Sequence, residues 1–484
     1  MRDGRRLSLL GLAATSGLLL FFADYPLHLW QVQALALVPL WAGLMRQARS
    51  TLDAVLAGAV TALVNLIPLA VVLQFPLLMA AGLGLYLTLL WVLLAAGVFW
   101  VLRAPAPLSA LGAGAVAVLV EWLDFNLVPV WGTAQSFARV WSAAPWAIQI
   151  VELAGMLGLV FVLVATQALL AGVLVNGARR GTHALTLVLL LAALGLHGYL
   201  AWPQLPDGTL RVAAIGWTHE DLAGGGPRAI LERTYLPLAE RALHRGAKLV
   251  VSPEVGFRLG GNEKKEVLWR LSQLARERRA ALAVGYFDLV RNDNRIAFID
   301  DAGRLKGEYV KTHLIPFVER YRAGSGKLFV LDGPRIAPAR SRPPRRVQVG
   351  GMICQDDNFT DLARAYGRQG VPVIAVPTND WRQVKDYHLE NSIFRAVENR
   401  YGVVRAASNG VSAIVSPTGE LLARSDHFHD GPQVIVADLP VFSSVTFYSR
   451  RGDWIALVCL FALVAGLPAL WRLRRVPPPD RDSG

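Results

Sequence analysis

Up to about Trp202 the chain is nearly unbroken apolar sequence, divided into pieces of bilayer length. A helix needs about 20 apolar residues to cross a membrane. Seven runs approach that length: about 7–23, 27–45, 53–74, 76–102, 106–123, 149–175 and 183–201. An eighth, Trp454 to Leu470, lies near the other end. Inside a bilayer the backbone must satisfy its own polar groups, so such runs predict a polytopic α-helical domain of eight transmembrane helices. The first run reads as a span and not a cleaved leader, because more spans follow without an obvious cleavage site. Hydrophobic residues make up 54% of the chain, well above a soluble protein.

Charge between the runs predicts orientation, because Lys and Arg collect on the cytoplasmic side. Arg2, Arg5 and Arg6 precede the first run; Arg46 and Arg49 follow the second, and Arg103 the fourth. Arg179 and Arg180 follow the sixth, and Arg472, Arg474 and Arg475 the eighth. Every second loop is basic, which puts both termini in the cytoplasm and the segment from about 207 to 445 outside. The net charge of +13 is explained by these flanks. No basic stripe with interleaved aromatics accompanies it, so nucleic acid is not an expected partner.

The segment from 208 to 445 differs in kind. Buried-strand patterns (RVAAIGW at 211–217, KLVVSPE at 248–254) alternate with helical ones such as Ala229 to Arg245. AALAVGYF, NRIAFID and GEYVKTH are strand-like, and VQVGGMIC, the helix Asp361 to Arg368 and VPVIAVPTND repeat the β-α-β order. This predicts an α/β layered domain, with reactive groups beyond the carboxyl ends of strands. The expected organisation is a seven-helix membrane domain (1–203), a catalytic domain (208–445), a last transmembrane helix (453–472) and a tail (473–484).

Three strand-end residues form a chemical set: Glu254 in VVSPEVGF, Lys311 in GEYVKTH and Cys354 in VGGMICQDD. Singly, each has an ordinary explanation as a solvated cap, a surface lysine or a small buried hydrophobe. Together they suit attack on a carbonyl. The thiolate is the nucleophile. Glu254 is the general base if burial raises its pKa, and Lys311 stabilises the thiolate and then the oxyanion. A helix opening just after Cys354 would add its dipole, and the next backbone N–H a second oxyanion donor. Glu319, eight residues past Lys311, is placed to hold that lysine or orient substrate. No metal or cofactor is required. His427 and His429 lack a third partner at ligand spacing and read as loop residues. Cys459 lies in an apolar run, so a bridge to Cys354 is not expected.

Glu254, Lys311 and Cys354, in this order and context, resemble the Glu-Lys-Cys triad of the nitrilase superfamily of carbon–nitrogen hydrolases. That resemblance implies an αββα sandwich. With the spans around it, nearly the whole chain looks like the bacterial apolipoprotein N-acyltransferase family. YVKTHLIPFVERY is similar to that family's lysine motif, including Glu319, and PTNDW to its Asn-Asp loop. FRAVENRYGVVRAASNGVSAIVSPTGEL, VEWL (120–123) and IQIVELAGMLGLVFVL (148–163) also resemble family stretches. Where the family has Tyr-Glu after the cysteine, this chain has Gln355 and Asp356. The Asn-Asp loop also lacks the usual small residue before Trp381.

The resemblance implies a fatty acyl donor in a membrane phospholipid and an acceptor in the free α-amine of a lipid-modified lipoprotein N-terminus. It implies a cysteine thioester between them, a bacterial inner-membrane location with the catalytic domain periplasmic, and activity as a monomer. Gln355, Asp356, Asn379 and Trp381 are expected to position substrate, and 317–324 and 382–388 to form lids or lipid guides. The Gln355-Asp356 departure keeps open a membrane-anchored amidase or an acyltransferase with another amine acceptor. A non-catalytic membrane binding module is the third reading, against which the intact triad stands.

Overall fold

The computed structural model describes residues 2–24, 27–74, 77–127, 131–202, 205–218, 225–316, 318–338 and 345–474. Residue 203 and residues 475–484 of the expected tail, with Arg475, lie outside these, as does Phe317 of the first expected lid. Among the described residues, six helices are long and apolar enough to cross a membrane: Asp3–Asp24, Thr51–Ala70, Leu77–Val101, Leu108–Leu127, Val151–Val175 and Gly177–Ala201. The closing helix is Trp454–Arg474.

The second expected span is corrected. Residues 27–45 do not form one helix but two short ones, Trp30–Gln33 and Val38–Arg46, joined by a turn. Pro39, in the first turn of the second piece, has no N–H to give a preceding helical turn. Neighbours satisfy the backbone freed by the break. Leu40 N–H donates to Ser16 Oγ at 3.0 Å, and Gln167 Nε2 donates to the Gln33 carbonyl at 2.7 Å. Hydropathy registers the apolar composition of such a segment and is blind to its broken ladder.

The second half is a two-sheet sandwich of fourteen strands, β1 (Gly208–Gly216), β2 (Leu249–Val251), β3 (Phe257–Leu259), β4 (Ala281–Asp288), β5 (Asp293–Ile299), β6 (Leu305–Val310), β7 (Leu331–Arg335), β8 (Ala337–Pro338), β9 (Arg346–Gly351), β10 (Val373–Asn379), β11 (Gly402–Ser408), β12 (Val411–Val415), β13 (Leu421–Asp426) and β14 (Gln433–Val441). One sheet has the order β14-β1-β2-β4-β5-β6, with β3 on β4 and β8 on β1; the other runs β13-β12-β11-β10-β9-β7. Side-chain alternation explains the layering. Val212, Ala214, Leu249 and Val251 face the core shared with Val404 and Ala406 of the other sheet. Ala213, Ile215 and Val250 face outward, under Leu236, Ala239, Leu271 and Leu274 of the covering helices. Both faces are covered, so these strands read as continuous apolar runs.

The two halves are tied together by buried polar contacts. Met156 N–H donates to Glu398 at 3.0 Å, Arg400 Nε to Glu152 at 2.7 Å, and Gln149 Nε2 to the Thr418 carbonyl at 3.1 Å. Gly155 sits at φ +65°, and a Cβ there would come within 2.3 Å of the Tyr448 ring. The GluLeuAlaGly segment of the membrane half is therefore shaped by the sandwich it supports.

Candidate active site

Glu254, Lys311 and Cys354 converge at one rim. Lys311 directly follows β6, while Glu254 and Cys354 each stand three residues past β2 and β9. Lys311 Nζ is 2.8 Å from Glu254 Oε1 and 2.7 Å from Glu319 Oε1, with its side chain fully buried. The Glu254 carboxylate is within hydrogen-bond reach of the Cys354 thiol. The thiol also lies 3.7 Å from the Asn379 carbonyl oxygen. Cys354 has φ +47° and Val255, beside Glu254, φ +50°. Non-glycine residues hold such angles at about 1–3 kcal/mol each, and only where the surroundings impose them.

Electrostatics follow from this packing. Burial raises the pKa of Glu254; Lys311 opposes that shift and Glu319 adds to it, so the net direction is upward. Burial and the Glu254 charge push the Cys354 thiol well above its usual range, against the pull of Lys311. The resting thiol thus keeps its proton until a base takes it. Burial disfavours the Lys311 ammonium, but the Glu254 carboxylate, helped by Glu319, outweighs it and holds the amine charged.

Glu319 acts on Lys311 and also accepts the Ile315 N–H at 2.8 Å and the Tyr321 hydroxyl at 2.7 Å, fixing the loop it belongs to. Asp356 is fully buried and works from behind the site. Its carboxylate accepts from Ile353 N–H (3.0 Å), Tyr309 Oη (2.8 Å) and His313 N–H (2.7 Å). It clasps the turn carrying Cys354 to the strand end carrying Lys311. Gln355 is buried and accepts from Asn358 Nδ2 at 2.8 Å. The segment after Cys354 is a five-residue 3-10 turn, Cys354–Asn358, ahead of the helix Thr360–Arg368, so no long helix points at the thiol.

His313 supplies a pH test. Burial opposes its charge, but hydrogen bonds to Asp356 and Asp361 prevail and raise its pKa to about 9. A raised folded value means the contribution is complete below the unfolded value of about 6.5 and disappears as pH rises through about 9. The gap corresponds to about 2–3 kcal/mol for this mostly buried ring. His313→Gln should therefore lower the melting temperature most at pH 6, and the difference from wild type should close by pH 10. A difference independent of pH would contradict this.

Sequence reasoning missed a second polar layer. Asp380 Oδ1 lies 2.6 Å from His388 Nδ1, and His388 Nε2 lies 3.1 Å from the Cys354 carbonyl. Asp380 Oδ2 accepts from Arg405 at 2.7 Å. Burial raises the Asp380 pKa, but Arg405 and His388 reverse this and leave it low. Ligand atoms of Cys354, Asp380 and His388 lie within 4.8 Å of one another, a spacing a metal could use. Their donors are already engaged, and the Arg405 cation stands against Asp380, so the cluster packs as support beneath Cys354. Asn294 was also missed; its Nδ2 donates to Glu254 at 2.7 Å. The only signal for His388 is its place eight residues after the Asp of PTNDW. His427 and His429 lie in the short helix His427–Asp430, with His429 bonded to Asp430.

The thiol opens on a cavity walled by both halves. Trp381, Tyr387 and Ile315 come from the sandwich side, and Leu69, Trp131 and Gln135 from the membrane side. Asn379 does not line it; it is exposed, and its side chain accepts from Asn409 Nδ2. The second expected lid, 382–388, is in part the first turn of the helix Lys385–Asn399 and forms this wall. In the first, Val318 is exposed.

A two-sheet sandwich with glutamate, lysine and cysteine at its strand ends defines a carbon–nitrogen hydrolase domain, and the family of that description matches residues 227–444. Curated relatives extend the likeness into the membrane half. The apolipoprotein N-acyltransferase of Gloeobacter violaceus is 30% identical over 382 residues, covering 71% of this chain and 69% of its own length. That of Geobacter metallireducens is 28% identical over 357 residues, 66% and 67% of the two chains. The chain belongs to the apolipoprotein N-acyltransferase family. Among solved structures, an amidase from Nesterenkonia sp. is 21% identical with a TM-score of 0.43, covering 52% of this chain and 97% of its own.

Proposed function

We propose that this protein moves a fatty acyl group from a membrane phospholipid, through a thioester on Cys354, to the α-amine of a diacylglyceryl-cysteine lipoprotein. The observation that carries this reading is the placement of a thiol, a carboxylate and an ammonium at one cavity walled by membrane helices and sandwich together. Both substrates are lipid-anchored, so a catalytic domain held against the bilayer can reach them.

Glu254 takes the thiol proton, and the thiolate adds to the ester carbonyl. Lys311 and the Gln355 backbone N–H stabilise the oxyanion. Collapse expels the lysophospholipid oxygen, which receives the proton from Glu254, and leaves the acyl group on sulfur. The incoming amine adds to the thioester carbonyl and gives a proton to Glu254; the thiolate departs and is reprotonated. Each half-reaction returns Glu254 to its starting state, as a ping-pong scheme requires. The basic loops support cytoplasmic termini and a periplasmic catalytic domain in the bacterial inner membrane. All three triad residues come from one chain, which suits a monomer.

Complementation tests the reading. In cells depleted of their own lipoprotein N-acyltransferase, wild type should restore N-acylated lipoprotein termini by mass spectrometry, and Cys354→Ala should not. Failure of wild type, with release of ammonia or amine from an amide, would instead favour an amidase.

A further inference from the structure

Beside the catalytic cavity, and sharing Leu69 and Gln135 with it, lies a second cavity inside the membrane half. Its charged lining is one-sided. Asp24, Glu121 and Asp124 contribute carboxylates, and no Lys or Arg lines it among the described residues. Arg139 neutralises Asp24 at 3.1 Å from outside the cavity. Glu121 uses only one oxygen, accepting the Phe137 N–H at 2.6 Å; its Oε2 is buried without a partner. Two other lining side chains are more than nine-tenths buried and leave an oxygen unpartnered: Gln33 Oε1 and Asn65 Oδ1.

Every one of these unmet groups is an acceptor. Unmet buried acceptors are costly, and carboxylates within membrane helices are retained for function. A ligand that satisfies them brings N–H donors, and a cation suits a lining whose only ionisable side chains, among the described residues, are carboxyls. A primary ammonium has three such donors.

We infer that the cavity bounded by Glu121, Asp124, Asn65 and Gln33 binds a substrate's primary ammonium group and guides that substrate to Cys354. The inference rests on the acyl-transfer reading above and adds an ammonium subsite to it. Two substrates carry this chemistry: a phospholipid with an ethanolamine headgroup, and the lipopeptide acceptor with its free α-amine.

The test uses the full-length protein in detergent, a synthetic diacylated lipopeptide, and phosphatidylethanolamine or phosphatidylglycerol as donor. Glu121→Gln keeps the oxygen that Phe137 needs and removes the charge. Loss of one charged hydrogen bond corresponds to about tenfold or more in binding. If the lipid headgroup occupies the cavity, the KM for phosphatidylethanolamine rises about tenfold relative to that for phosphatidylglycerol. If the acceptor occupies it, the lipopeptide KM rises by that factor with either donor. Should Glu121→Gln fail to fold, judged by its melting temperature, Asp124→Asn carries the test with the same two supporting results. Unchanged KM values for all three substrates, with normal wild-type turnover, overturn this inference alone. No acylation of wild type from either lipid overturns the acyl-transfer reading, and this inference with it.

Discussion

Glu254→Gln should slow acylation of Cys354 by about 10²–10⁴-fold while leaving the fold in place. Glutamine has the shape of glutamate, and its oxygen can still accept from Lys311 and Asn294, which now donate to Glu254 at 2.8 and 2.7 Å. What is lost is the ability to take a proton. The thiol is held protonated by burial and by its neighbours, so without a base little thiolate forms. Single-turnover acylation by labelled phospholipid, with melting temperature as the folding control, measures this. A variant acylated at the wild-type rate would show that another group serves as base.

Lys311→Met should produce the largest loss of stability of any single change at the site, as well as loss of turnover. The ammonium lies between two carboxylates, 2.8 Å from Glu254 and 2.7 Å from Glu319, and its side chain has no exposure. Removing one partner of a buried ion pair typically costs about 3–5 kcal/mol, because uncompensated charge stays behind. The penalty has a pH signature. Burial already raises the Glu254 pKa, and loss of the lysine raises it further. A carboxylate raised in the folded state favours folding below its unfolded value of about 4.3 and loses that advantage as pH rises. The melting temperature of Lys311→Met should therefore approach wild type near pH 5 and fall away by pH 8. Lys311→Arg keeps the charge and should lack this trend. A pH-independent loss in Lys311→Met would mean that packing, not charge, is at stake.

That Glu254, Lys311 and Cys354 meet was legible because each follows an apolar strand, where a polar side chain interrupts a simple pattern. The strands themselves were legible for the same reason, and β1, β4 and β5 lie close to their apolar runs. Two classes of feature escaped. One is the break at residues 34–37, since composition does not show that the backbone there donates to Ser16 and accepts from Gln167. The other is the supporting layer of Asp380, His388 and Arg405, whose members are ordinary polar residues until folding brings them together beneath Cys354. Asp356 illustrates the limit of motif comparison. Its position next to the cysteine suggested contact with substrate, yet its carboxylate is filled by donors from Ile353, Tyr309 and His313. Glu121 was visible within VEWL only as a resemblance; its unmet oxygen required the fold.

The central claim is that Cys354 carries the acyl group between two lipid substrates. The most direct measurement incubates purified protein with acyl-labelled phospholipid, locates the label by mass spectrometry, and then adds lipopeptide. Label should appear as a hydroxylamine-sensitive thioester on Cys354, be absent from Cys354→Ala, and pass to the lipopeptide α-amine. Label that persists in Cys354→Ala, or transfer to lipopeptide without a labelled Cys354, would contradict it.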